Sequence, residues 1–372
     1  MTAADDFTLG VEEEFFLVDP ATRRLVPAAA DVLPGARALA GSEDDVQAEL
    51  LQSQIETGTA VCHTLAEVRA ELERLRTSVS EAAAAAGCAV VAAGSHPFAS
   101  EEGSPVTPKP AYLRLEHDYR LVTHEQQVCG CHVHVGVSDP ELALQVMDAA
   151  RTWLSVLLAL SANSPFWKGR DTGYASFRSE VWQRWPTAGP PGFFSSRAEY
   201  DQLVQDLLVV EAIDDPARIY WDIRLSARFD TVEFRVADAN LTVDDTVMIA
   251  GLVRALVRTC HRHVSDGRAR PQPRFELVRA ANWRAARYGL DGTLLDLANC
   301  RSRPAPHVVR AFLELLRPAL DEAGDWDEVD AQVRQVLEEG TGAARQRDAF
   351  RRRGRLEDVV DFVLAQTRPA DR

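Results

Sequence analysis

The stretch GVEEEFFLVD, residues 10–19, sets three consecutive glutamates inside a segment whose apolar content reads as a buried strand. Ionised carboxylates are costly to bury unless they are paired or bind a cation, so this stretch demands compensating charge from elsewhere. Strand side chains alternate faces, which puts Glu12 and Glu14 on one face with Gly10, about 7 Å apart. Glu13 points the other way with Leu9, Val11, Phe15 and Leu17, as a structural or rim-exposed residue. Two carboxylates on one face can hold two cations; alone, they also fit a solvated edge strand.

Three further clusters could join them. In CGCHVHVGV, residues 129–137, the side chains of Cys129, Cys131, His132 and His134 are all zinc-ligand types. On an extended strand, however, Cys131, Val133 and Val135 face the core, while His132 and His134 share the opposite face with Gly130 and Gly136. The four therefore cannot surround one ion. The flanking glycines leave room on that face for a nucleotide or substrate. In TVEFRVAD, residues 231–238, Val232, Phe234 and Val236 belong on the core face, with Glu233 and Arg235 opposite. A surface ion pair explains these last two if nothing else approaches them. In EDDVQAELLQSQIETGTAVC, residues 43–62, Glu49 and Glu56 lie two helical turns apart if helical, yet the stretch ends in strand-like character. On this stretch alone both read as surface residues.

Collected, Glu12, Glu14, Glu49, Glu56, Glu233 and one or both histidines favour Mg²⁺ or Mn²⁺ over zinc, because carboxylate oxygens are hard ligands. Arg218, Arg224, Arg228 and Arg235 are then candidates to clamp nucleotide phosphates, for which the planar guanidinium fork is suited. The chain has neither GxxxxGK[ST] nor GxGxxG, so any nucleotide is held without a P-loop or a Rossmann turn.

The elements that must position these groups are partly legible. Residues 7–19 predict a strand. Leu65, Val68, Leu72, Leu75 and Val79, three and four apart, predict a helix over 64–86 that stops at Gly87. CAVVAAG reads as a short strand, 95–110 as a loop and 129–137 as a strand. A helix is expected over 141–162, a long irregular region over 163–197, strands over 222–228 and 231–236, and helices over most of the chain from Asp244. The economical reading is one α+β domain over 1–372, with its sheet core mainly in 1–240 and a helical portion in 241–372.

Composition narrows the partners. The 372 residues are 46% hydrophobic and 26% charged, with a formal net charge of −15. An acidic molecule is a poor match for a phosphate backbone, so nucleic acid is not expected, and RRRGR at 351–355 reads as a solvated helix face. The start, MTAADD, lacks a leader's basic and apolar regions, and the longest apolar run, around 82–93, falls short of the ~20 residues of a membrane helix. A cytoplasmic protein with six reduced cysteines, none in a CxxC pair, is expected.

At GVEEEFFLVD, QIETGTAVC, CGCHVHVGV, GRDTGYASFRSEVWQRWPTAGPPGFF and WDIRLSARFDTVEFRVADAN, running in that order from residue 8 to about 240, the sequence resembles a known family. These are the bacterial carboxylate-amine ligases of the glutamate-cysteine ligase type 2 group, distant relatives of glutamine synthetase. The resemblance implies a glutamine synthetase-like fold: a curved, mainly antiparallel sheet with the active site on its concave face and helices packed outside. It implies ATP as a substrate gripped by two or three Mg²⁺ or Mn²⁺ ions. Glu12, His132 and Glu233 look like one metal set, and Glu14, Glu49 and Glu56 like another. Arg235, with Glu233, takes the catalytic position against the transferred phosphoryl group. Arg224 and Arg228 look like phosphate or carboxylate contacts, and His134 lines the nucleotide side. Arg178 stands with Arg170 and Arg184 in the segment 169–194, the natural candidate for a substrate-covering lid.

The implied reaction joins the γ-carboxylate of glutamate to the amine of cysteine through an acyl phosphate. Glutamine synthetase itself is disfavoured, since the chain reaches its acidic strand by residue 10. The rivals are a ligase of the same chemistry with another carboxylate and amine pair, a guanidino-kinase-like phosphotransferase, a zinc hydrolase and a nucleotide-binding protein without turnover. A homodimer is expected, by analogy with assembling relatives.

Overall fold

The computed structural model describes residues 7–100, 103–268 and 272–369, so the MTAADD start lies outside the described residues. In chain order the strands are β1 (Leu9–Val18), β2 (Val46–Ala48), β3 (Gln54–Gly58), β4 (Ala89–Val91), β5 (Gly130–Gly136), β6 (Phe166–Trp167), β7 (Arg170–Asp171), β8 (Ile223–Leu225), β9 (Thr231–Asp238), β10 (Thr293–Asp296) and β11 (Arg301–Pro304). Seven of them make one antiparallel sheet in the order β2-β3-β1-β5-β9-β8, with β4 paired to the far end of β1. The pairs β6–β7 and β10–β11 are separate ribbons.

The sheet has a greasy face and a charged one, and period-two alternation makes them. Leu9 and Val11 of β1, Cys131, Val133 and Val135 of β5, and Val232 and Phe234 of β9 pack into the largest apolar cluster. Helices Pro140–Ala150, Leu154–Ser161 and Val243–Ser265 close that cluster from below. Beyond Glu14 the opposite face of β1 turns apolar, where Phe16 and Val18 meet Val360 and Val363 of helix Leu356–Thr367.

Local signals explain the best-read elements. Helix Leu65–Ala85 starts in a capping box, Thr64 accepting from the Glu67 N–H while Glu67 accepts from the Thr64 N–H, and Gly87 beyond it takes a positive φ of 77°. Its stripe of Leu65, Val68, Leu72, Leu75 and Val79 is almost wholly buried.

Several expectations are corrected. Glu13 is not at the rim: it and Arg76 of helix Leu65–Ala85 form a buried ion pair, with Arg76 Nη2 at 2.6 Å from Glu13 Oε1. Arg76 also donates to the Asn240, Leu241 and Thr367 carbonyls. The alternation expected in β9 holds through Val236, which joins Val232 and Phe234 in the core, but a register shift sets two β9 residues, Arg235 and Val236, against the single His132 of β5. The strand expected over 222–228 is only Ile223–Leu225. Helices do fill most of the chain from Asp244, and the C-terminal portion also carries a ribbon. This is β10–β11, tied to helix Phe275–Tyr288 by Arg284 Nε donating to the Thr293 carbonyl, a contact that strand propensity does not announce. The apolar run at 82–93 is not the longest candidate span. Residues Pro140–Ser161 meet the length and composition for crossing a membrane, but 78% of the window is buried against the rest of the chain.

The region 163–197 is built rather than loose. Ser176 caps helix Phe177–Trp182, and its hydroxyl and that of Ser164 both donate to the buried carboxylate of Asp238 at 2.7 Å. Among the described residues no disulfide joins any of the six cysteines, and five are buried.

Candidate active site

Strand register gathers the acids and imidazoles. On β1, Glu12 faces His132 of β5, and Glu14 faces Glu56 of β3. His134 of β5 faces Glu233 of β9, which in turn faces Arg224 of β8. Five strands thus deliver their polar alternates to one surface.

His132 Nδ1 lies 2.9 Å from Glu12 Oε2, and its Nε2 lies 3.7 Å from Glu14 Oε1. His134 Nδ1 is held at 2.9 Å by the Thr231 hydroxyl, leaving Nε2 3.5 Å from Glu12 and 4.0 Å from Glu233. The Gly130 N–H donates to Glu14 Oε2 at 2.5 Å. Arg224 grips Glu233 with two bonds, at 2.7 and 3.1 Å, and itself donates to the Ala217 and Ile219 carbonyls. Arg235 donates to the same Glu233 carboxylate. Tyr112 donates to Glu49 Oε2 at 3.1 Å.

Charge balance is uneven across this surface. Burial pushes Glu233 upward, but Arg235 and Arg224 overcome it and hold the carboxyl well below its ordinary range. Burial pushes Glu12 upward too, but its bond to His132 and the nearby His134 imidazole overcome it and lower the carboxyl. Burial and then Arg235 lower His132, favouring a neutral imidazole. On the β3 side the fields of Lys109 and Arg235 are outweighed. Burial and then the Glu14 charge raise Glu49 to about 7, and burial with Glu12, Glu49 and Glu14 raises Glu56 well above its usual value.

This crowding has a measurable consequence. A carboxylate whose folded value is raised contributes stability that is complete below its unfolded value of about 4.3 and is lost as pH rises through the folded value. The metal-free protein is expected to lose on the order of a few degrees of Tm between about pH 5 and 7.5. Glu49→Gln flattens that slope, and Mg²⁺ or Mn²⁺ raises Tm most at the alkaline end. Melting curves indifferent to both pH and metal would remove the crowded-acid account.

Two groups can each offer one ligand atom apiece within 4.8 Å of one another: Glu12, Glu56 and His132, and Glu12, His134 and Glu233. The set that the resemblance implied, Glu12, His132 and Glu233, is not one of these groups among the described residues; register sets Glu233 beside His134. Glu14, Glu49 and Glu56 share a field but do not form a group of this kind among the described residues. The donor chemistry fits divalent cations. His132 Nε2 and His134 Nε2 are both buried without a hydrogen-bond partner, and each faces carboxylates. No cysteine joins either group; Cys131 is in the core, and Cys129 accepts from Gln54.

Other expected residues scatter. Glu49 and Glu56 are half-buried and belong to the site, contrary to a surface reading, because Glu56 sits on β3 opposite Glu14. Arg228 is exposed on the β8–β9 turn. Arg218 turns to Asp214 at 2.8 Å, and Arg184 pairs with Glu125. Arg170 is exposed. Arg178 is buried, and its guanidinium fills the room left by Gly130, where an added Cβ would collide with it; that space is therefore not free for a nucleotide. Trp182 lies beside both Arg178 and Arg235, its ring centroid 5.5 and 5.8 Å from their guanidinium carbons. Sequence reasoning missed Trp182, Tyr112 and Thr231. Only Thr231 had a signal, since it shares the Glu233 face by alternation.

A model of glutamate-cysteine ligase family 2 (GCS2) matches residues 8–361. A curated protein of Frankia alni named "Putative glutamate--cysteine ligase 2-2" is 46% identical over 379 residues, covering 99% of this chain and 98% of its own length. A Salinispora arenicola protein named "Putative glutamate--cysteine ligase 2" is 46% identical over 364 residues, covering 98% and 96%. Among solved structures, glutamate-cysteine ligase from Francisella tularensis in complex with AMP is similar with a TM-score of 0.73 at 14% identity, over 98% of this chain and 90% of that one. A bifunctional glutathione synthetase from Pasteurella multocida gives 0.68 at 17% identity, over 98% of this chain and 51% of that one. At these identities the likeness is one of fold: an open antiparallel sheet with helices packed on it.

Proposed function

The chain belongs to glutamate-cysteine ligase family 2, a family of carboxylate-amine ligases, and from that premise we propose that it joins the γ-carboxylate of L-glutamate to the amine of L-cysteine with conversion of ATP to ADP and phosphate. The observation that carries this reading is the gathering of Glu12, Glu56, His132, His134 and Glu233 on one sheet face beside Arg224 and Arg235. A purely structural cluster would have no use for two buried imidazole nitrogens without partners.

In the first step a carboxylate oxygen attacks the γ-phosphorus of ATP, the bond to the bridging oxygen breaks, and ADP leaves. The amine then attacks the acyl carbon, loses a proton and expels phosphate. Both reactants of the first step are anions, so the chain's task is to hold like charges together. Arg235, anchored by Glu233 and flanked by Trp182, presents its guanidinium where charge spreads over the transferred phosphoryl oxygens. Arg224 is committed to Glu233 and to two carbonyls, so its part is to fix that carboxylate. Thr231 fixes His134 through Nδ1 and aims Nε2 at the acids. Mg²⁺ or Mn²⁺ would be held by Glu12, Glu56 and His132 and by Glu12, His134 and Glu233, where it would neutralise phosphate charge and orient its oxygens.

The test is ADP release by the purified protein with ATP and Mg²⁺, given glutamate alone, cysteine alone or both, with Glu233→Ala as control. Release that needs both substrates, disappears in the control and accompanies γ-glutamylcysteine by mass supports the reading. Release with one acceptor and a stable phosphorylated product points instead to a phosphotransferase.

A further inference from the structure

Next to Arg235 lies a second set of polar groups that the phosphoryl chemistry does not use. Asp222 precedes β8, and its backbone carbonyl accepts from the Arg235 N–H at 2.8 Å. Its carboxylate accepts from Asn282 Nδ2, on helix Phe275–Tyr288, at 2.8 Å, and lies in the field of both Arg178 and Arg235. Three buried polar atoms here lack a partner: Arg178 Nε, Arg235 Nε and Asn282 Oδ1. Their residues are only 2%, 8% and 4% exposed. Orphaned donors on two sequestered guanidiniums are costly, and they are satisfied only by something that enters.

Resting on the ligase reading, we infer that Arg178, Asp222 and Asn282 form a subsite for the zwitterionic head of an α-amino acid, Arg178 taking its α-carboxylate and Asp222 its α-ammonium. The charge pattern selects this chemistry. A plain dicarboxylate brings its second end toward Arg178 but offers Asp222 no cation; a simple amine offers Asp222 a cation but leaves Arg178 unmatched. Asn282 is a positioning residue, holding the Asp222 carboxylate so that it faces the arginines. The guanidinium of Arg178 is seated against β5 by the missing side chain of Gly130, which makes this strand glycine part of the subsite.

The test compares L-glutamate with glutarate, which lacks the ammonium, and with 4-aminobutyrate, which lacks the α-carboxylate. Binding is measured by calorimetry on protein saturated with Mg²⁺ and a non-hydrolysable ATP analogue, whose own affinity reports that each variant is folded. Wild type is expected to prefer glutamate over both by at least about tenfold. Asp222→Asn closes the gap to glutarate and leaves the gap to 4-aminobutyrate; Arg178→Gln does the reverse; Asn282→Ala narrows the glutarate gap in part. A carboxylate that merely balances the arginines would weaken all three ligands together, and that result, or an undiminished preference in Asp222→Asn, overturns the subsite. It would leave ADP release by wild type, and so the ligase reading, intact. The selective losses without ADP release would uphold the subsite and sink the ligase.

Discussion

Replacing Arg235 by alanine is expected to lower kcat for ADP release by about 10³-fold or more, with KM for ATP changed much less, because an arginine aimed at a transferring phosphoryl group acts mainly in the transition state. The fold survives the change, since Arg224 still grips Glu233 through two bonds and keeps its buried charge paired. Thermal melting verifies that point. The control is Arg228→Ala: its side chain is exposed on the β8–β9 turn, and the loss there is expected to stay within about tenfold. Equal losses at the two positions, or a rise in KM alone at Arg235, would deprive Arg235 of its part in phosphoryl transfer.

The largest effect on stability belongs to Arg76. Substitution by methionine keeps the bulk of the side chain but strands Glu13, 1% exposed, without its cation, and leaves the Asn240, Leu241 and Thr367 carbonyls short of a donor. Breaking one side of a buried ion pair costs about 3–5 kcal/mol, a large part of the stability of an ordinary domain. Denaturant unfolding should show the midpoint falling accordingly. The double variant Glu13→Leu with Arg76→Met recovers part of the loss, because no charge is then left behind; the carbonyls, and Thr246 that donates to Glu13, remain unserved. A single-variant cost below about 1 kcal/mol would mean that water reaches Glu13 in the folded protein.

Alternation made the active face readable. Glu12 and Glu14, His132 and His134, and Glu233 needed only the period of two to be put on one surface. What alternation could not supply was register, so it could not show that the cross-strand neighbour of Glu233 is His134. Register depends on which strands meet and on the β9 shift opposite His132, and neither is a local property of the sequence. Their own stretch could not place Glu49 and Glu56 for a related reason: β2 and β3 are short, and only pairing with β1 reveals that Glu56 stands beside Glu14. Tyr112 and Asp222 are brought in by loops and helix ends, whose positions no periodicity encodes. Arg76, on a helix face predicted to be apolar, was invisible because its partner Glu13 looked like the spare member of the acidic triplet.

Helix Leu356–Thr367 does more than cover one end of the sheet. Its Thr367 hydroxyl accepts from the Ala92 N–H, its Thr367 carbonyl takes a donor of Arg76, and its Asp361 pairs with Arg23, a partner 338 residues earlier. At a synthesis rate of about 5–20 residues per second, that separation is on the order of 20–70 s on the ribosome. During this interval β1 has emerged with its acids while the helix that seals its apolar end has not. The nascent chain thus carries an unsealed central strand for most of its translation. Its demand for chaperones is set by the order in which its parts leave the exit tunnel as well as by how firmly the finished fold holds together.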